Sequence, residues 1–114
     1  ISKLQNNIWG IVEKSIDQKS TIIITTIFPI GKTPIERRPF WSDDVALAIH
    51  EVNSYISSLA SDNIIVFDAY SVLLGENGLI NPEYSEDFLH LNEAGYEVLN
   101  DELSLVMIDL SAGE

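Results

Sequence analysis

Residues 21–28 read TIIITTIF, eight β-branched or aromatic residues in succession, with threonine the only polar relief. Side chains of a strand alternate between two faces, so a run with no polar alternation predicts a strand covered on both sides, the environment of a parallel sheet between helices. The rest of the chain fits that frame. Leu4, Ile8, Ile11, Val12 and Ile16 recur at helical spacing and predict an amphipathic helix ending near residues 17–20. After the strand, Pro29, Gly31, Pro34 and Pro39 keep the chain irregular as far as Trp41. Ser42 or Asp43 can cap a helix whose stripe is Val45, Ala48, Ile49, Val52, Ile56 and Leu59, ending near Asp62 and Asn63. A second buried strand is expected over residues 64–67. Residues 68–86, punctuated by Gly75, Gly78 and Pro82, read as turns and loop. A last helix from about Asn92 packs through Val98, Leu99, Leu103, Val106, Met107 and Leu110. Gly95 in its first turns, a poor helix former, is explained if the helix comes close to the sheet there.

Helix, strand, helix, strand, helix makes one right-handed β-α-β unit with flanking helices, hence an α/β layered sheet. The 114 residues fit one domain at most. Two parallel strands do not sustain a sheet alone, and the first is apolar on both faces, so it calls for further strands beside it. The chain also opens at Ile1 inside a helical pattern, without Met or a leader. Residues 1–114 are therefore expected to be the C-terminal part of a single α/β domain.

Eighteen Asp and Glu against six Lys and Arg give a formal charge of -12, a surface that repels phosphate backbones; nucleic acid is not expected as a partner. No apolar run approaches the roughly 20 residues of a membrane span, so a soluble protein is expected, in the cytoplasm or exported. The absence of cysteine excludes disulfides, thiolate nucleophiles and Cys-ligated zinc, and leaves the compartment open. No metal is expected, since the two histidines stand 40 residues apart with no H-E-x-x-H or EF-hand pattern. No cofactor is expected either: Gly31-Lys32-Thr33 mimics the tail of a phosphate-binding loop, but Thr26 stands where its first Gly belongs and Pro34 follows at once.

Imidazole chemistry has two candidates. His50 lies within the second helix with no carboxylate in a turn built to orient it, and reads as a helix-surface or partly buried residue. His90 lies in Asp87-Phe88-Leu89-His90-Leu91-Asn92, just before a helix and after the last strand, where the open end of a parallel sheet presents its crevice. An Asp three residues before a His in a loop can fold back to accept the Nδ1 proton, leaving Nε2 free as a base. Asn92 is a good helix N-cap. No G-x-S-x-G elbow supplies a nucleophile, and Ser71, Ser85 and Ser111 read as turn, capping or terminal serines.

The string DFLHLNEAGYEVLNDEL resembles the last conserved block of the SGNH hydrolases, the GDSL esterase and lipase family, in which an Asp and a His separated by two residues are followed by Leu-Asn and a Gly-Tyr pair. The resemblance extends backwards through the strand ending in Pro29, the irregular loop, the helix with Asn53, Tyr55 and Ile56, and the strand at residues 64–68, so it covers nearly the whole chain. It implies a three-layer α/β/α flavodoxin-like fold of which the C-terminal part is present, and a serine ester hydrolase acting on a small ester. By position, Asp87 would be the orienting carboxylate and His90 the general base and acid of a Ser-His-Asp triad. The family's nucleophilic Ser and its oxyanion-hole Gly and Asn precede the matching region, so the 114 residues alone are expected to be nearly inert, and an N-terminal half or a partner chain is expected to cover the sheet edge.

Arg37, Arg38, Phe40 and Trp41 in the long loop suit a substrate wall for sugars or carboxylates, or equally packing and solvated surface. The rival reading of the whole chain is a non-catalytic α/β interaction module or degenerate hydrolase that uses its acidic surface.

Overall fold

In the computed structural model, which describes residues 2–17, 20–32 and 44–112, the two strands pair in parallel. Helix α1 (Ser2–Asp17) leads into strand β1 (Ile22–Thr25); helix α2 (Asp44–Ser58) leads into strand β2 (Ile64–Phe67). Their register sets Ile22 opposite Ile64 and Thr25 opposite Phe67. A short helix α3 (Ala69–Leu73), two 3₁₀ turns (Glu76–Gly78 and Pro82–Tyr84) and the long helix α4 (Glu93–Ala112) complete the chain. The arrangement is the C-terminal part of an α/β fold.

Strand β1 is half the length that its composition predicts, because β2 ends at Phe67. There Asp68 turns away to cap α3, accepting from the Ser71 N–H at 3.2 Å. Thr26 N still donates to Phe67 O at 3.1 Å, and beyond it the chain changes partners. Ile27 is held at both N and O by the Asn53 carboxamide (2.7 and 3.0 Å), Ile30 O accepts from Ile80 N (2.9 Å), and Gly31 N donates to Phe88 O (2.8 Å). Several backbone groups of residues 26–31 thus find partners without a ladder, as backbone groups removed from water must. Strand β2 lies where the sequence placed it. Helix α2 stops at Ser58, several residues short of Asp62, and the turn that follows bonds Ser61 N to Ile64 O at 3.0 Å.

One core cluster is formed by Leu73, Ile80 and Leu91, packed against Phe28, Tyr84, Val98 and Leu99. Helix α4 lies against α3 and the Pro82–Tyr84 turn. Gly95 therefore approaches that turn and not the sheet: a Cβ on it would stand 2.5 Å from Tyr84 O. Met107, expected in the core, is exposed: the α4 residues packed against the core cluster are Val98 and Leu99, and further along the helix Leu103 and Val106 are themselves partly exposed. At the other end of the molecule, α1 lies against β1 and buries Val12, while Ile11 remains 69% exposed beside the half-buried Ile22, Ile23 and Ile24. No helix among the described residues is long and apolar enough to cross a membrane.

Candidate active site

The segment between the Pro82–Tyr84 turn and α4 is a loop pinched at its neck. Ser85 and Leu91 form an isolated antiparallel bridge, Glu86 N donates to His90 O at 2.9 Å, and Asn92 N donates to Tyr84 O at 3.0 Å. Leu91 is buried in the core cluster, so the side of the neck leading into α4 is anchored by apolar packing. Gly31 lets the opposite flank approach closely, since a Cβ there would lie 3.1 Å from Phe88 Cα. The core and the chain leaving β1 thus hold the loop while its tip faces water.

At that tip Asp87 folds back as its spacing predicts. Its Oδ1 accepts from the backbone N–H of Leu89 and of His90, both at 2.7 Å, and its Oδ2 lies 2.9 Å from His90 Nδ1. Short polar side chains favour such local bonds to the backbone two and three residues on. The N–H of Leu89 foremost, then the His90 ring and the His90 N–H, lower the Asp87 carboxyl from 3.8 to about 2. An ionised carboxylate only accepts, so it selects the tautomer with the proton on Nδ1. Nε2 is then the ring nitrogen with a lone pair, and it has no partner among the described residues. The two side chains are 72% and 50% exposed, which makes the pair a device for orientation more than for stability.

His50 belongs to a different place. It is exposed on α2, its Nε2 is 3.5 Å from the Tyr70 hydroxyl with the rings tilted by 59°, and it lines an open hollow with Asn53, Asp68 and Ser71 that includes neither Asp87 nor His90. Ser71 donates its hydroxyl to Asp68 at 2.6 Å and Ser85 sits in the loop neck, so each has a local structural role. Ser111 is exposed on α4. Arg37, Arg38, Phe40 and Trp41 lie outside the described residues.

Two contributions escaped the sequence reading. Asp68 joins the strand ends: the buried Thr26 accepts from Tyr70 N at 2.9 Å and donates to Asp68 Oδ1 at 3.3 Å. The Asp-x-x-Ser spacing before an apolar residue pair was the available capping signal. The second is the Asn92 carboxamide, which besides capping α4 through Gly95 N (2.9 Å) donates to Glu83 O (2.8 Å).

No family model and no curated protein matches the chain. Solved structures do. A GDSL-like lipase from Bacteroides thetaiotaomicron VPI-5482 superposes with a TM-score of 0.77 and 25% identity, over 93% of this chain and 51% of that one. A protein described as a "putative acylhydrolase" from Bacteroides fragilis NCTC 9343 gives a TM-score of 0.79 and 25% identity over 96% and 52%. A "putative platelet activating factor" from Streptococcus pneumonia, at 21% identity and a TM-score of 0.76 over 90% and 50%, shares the fold. The chain spans about half the length of each.

Proposed function

We propose, on the premise that this chain belongs to the SGNH (GDSL-type) hydrolases and forms the C-terminal part of their α/β fold, that Asp87 and His90 are the carboxylate and the general base of a Ser-His-Asp triad in an ester hydrolase. The observation that carries the reading is the Asp87 Oδ2 to His90 Nδ1 bond at 2.9 Å, in a loop whose backbone also holds the carboxylate. The base nitrogen Nε2 is thereby presented to solvent on a tip anchored by the buried Leu91.

The nucleophilic serine is supplied from outside these 114 residues. As its Oγ attacks the ester carbonyl, Nε2 takes the hydroxyl proton; the imidazolium that forms is stabilised by ionised Asp87 and then protonates the departing alkoxide. Water, deprotonated by the same nitrogen, releases the acid and restores the serine. Backbone or side-chain donors for the oxyanion also come from outside, and without them and the serine the 114 residues alone should be nearly inert. The apolar groove between α1 and β1, with Ile11 exposed over it, supports continuation of the sheet past β1 by the rest of the fold.

The test uses the full-length protein with p-nitrophenyl acetate and a fluorophosphonate probe. A serine should be labelled, and His90→Ala should lower kcat by about 10⁴, with a comparable loss for Asp87→Asn, whose amide nitrogen would face Nδ1 and favour the wrong tautomer. Undiminished turnover in folded His90→Ala removes the assignment. A protein that neither turns over the ester nor takes the label is instead a non-catalytic module on the same fold.

A further inference from the structure

We propose that Asn92 is the positioning residue for His90, its carboxamide clamping the neck of the loop that carries the base in addition to capping α4. The inference rests on the reading of His90 as the base.

The two ends of the carboxamide do different work. Oδ1 accepts from Gly95 N at 2.9 Å, which is the cap, and Ser, Thr or Asp performs that task about as well. Nδ2 reaches backwards to Glu83 O at 2.8 Å and, more distantly, to Ser85 O at 3.5 Å, while the backbone N–H of Asn92 takes Tyr84 O at 3.0 Å. Three consecutive carbonyls of the incoming side of the neck are thus gathered on one residue. That side needs the help. The outgoing side is fixed by the buried Leu91, whereas the Pro82–Tyr84 turn has no buried residue and meets the core cluster through the partly buried Tyr84. His90 lies two residues from Asn92, and its carbonyl is bonded to Glu86 N on the side that the carboxamide holds, so a shift of residues 83–86 is transmitted to the imidazole. Only a side chain with an acceptor and a donor on one planar group does both jobs at this length. Serine caps but is too short to span to Glu83 O, and aspartate caps but sets a second acceptor against that carbonyl.

Displacing a catalytic group by about 1 Å costs on the order of 10²-fold in rate. In the full-length protein assayed with p-nitrophenyl acetate, Asn92→Ser and Asn92→Asp should stay folded because the cap survives, with a urea midpoint lower by no more than about 0.5–1 M for the lost bond to Glu83 O. Their kcat should fall by about 10- to 100-fold with KM within about threefold, and the rate of serine labelling by the fluorophosphonate should fall in step. A merely structural role would leave kcat per labelled serine unchanged, whatever the urea midpoint does. Wild-type kcat in either folded variant overturns the proposal. Failure of both variants to fold, with the cap retained, makes the donor end of the carboxamide a requirement for folding and not for placing the base, and overturns it too. His90→Ala measured alongside separates the two readings: if it is inactive while the Asn92 variants are active, only the positioning role falls, whereas an active His90→Ala removes the base itself.

Discussion

Replacing Gly95 by alanine pits local helix chemistry against a tertiary contact, and the two predict opposite signs. In a helix interior, Gly→Ala gains about 1 kcal/mol. At this position the new methyl would stand 2.5 Å from Tyr84 O, 3.2 Å from Leu91 Cβ and 3.3 Å from Tyr84 Cβ. A carbon rests about 3.3 Å from a carbonyl oxygen, so the turn and the helix must part by roughly 0.8 Å. That oxygen accepts from Asn92 N at 3.0 Å, so the retreat stretches a bond worth about 1 kcal/mol in addition to an overpacking cost of about 1–3 kcal/mol. The net expectation is a loss of about 1–3 kcal/mol. With a urea dependence of about 2 kcal/mol per M, equilibrium denaturation of the full-length protein should show a midpoint lower by about 1 M for a loss of 2 kcal/mol. A midpoint equal to or above that of the wild type would refute the close approach of α4 to the Pro82–Tyr84 turn.

Leu73, fully buried in the core cluster, should cost about 2–5 kcal/mol when truncated to alanine, read by the same denaturation; a loss under 1 kcal/mol would contradict its packing. Because the folded value of Asp87 is depressed, its bonds to the Leu89 and His90 N–H groups should be fully present above the ordinary 3.8 and be lost as pH falls through about 2; carboxyl-carbon NMR that shows Asp87 titrating with the exposed carboxylates would sink this. Ile11→Ala would be nearly neutral at a solvated position, within about 0.5 kcal/mol, but should cost more than 1 kcal/mol in the full-length protein if the sheet continues over the α1–β1 groove.

What the sequence by itself determined are the features that depend on neighbours along the chain. Apolar spacing located all the long helices, the β-branched run at residues 64–67 became β2, and Asp87 reached His90 because a loop of three residues brings an Asx carboxylate to its own backbone. Asn92 caps α4 for the same local reason. The tertiary structure alone decided where β1 stops, because a ladder runs only as far as its partner, and β2 ends in the Asp68 cap. It also decided that residues 26–31 pair with Asn53, Ile80 and Phe88, that Gly95 faces Tyr84, and that Met107 and Ile11 remain exposed despite their apolar spacing. Periodicity says which side of an element avoids water; which surface receives that side, or whether one does, depends on segments distant in the chain, and no local pattern encodes it.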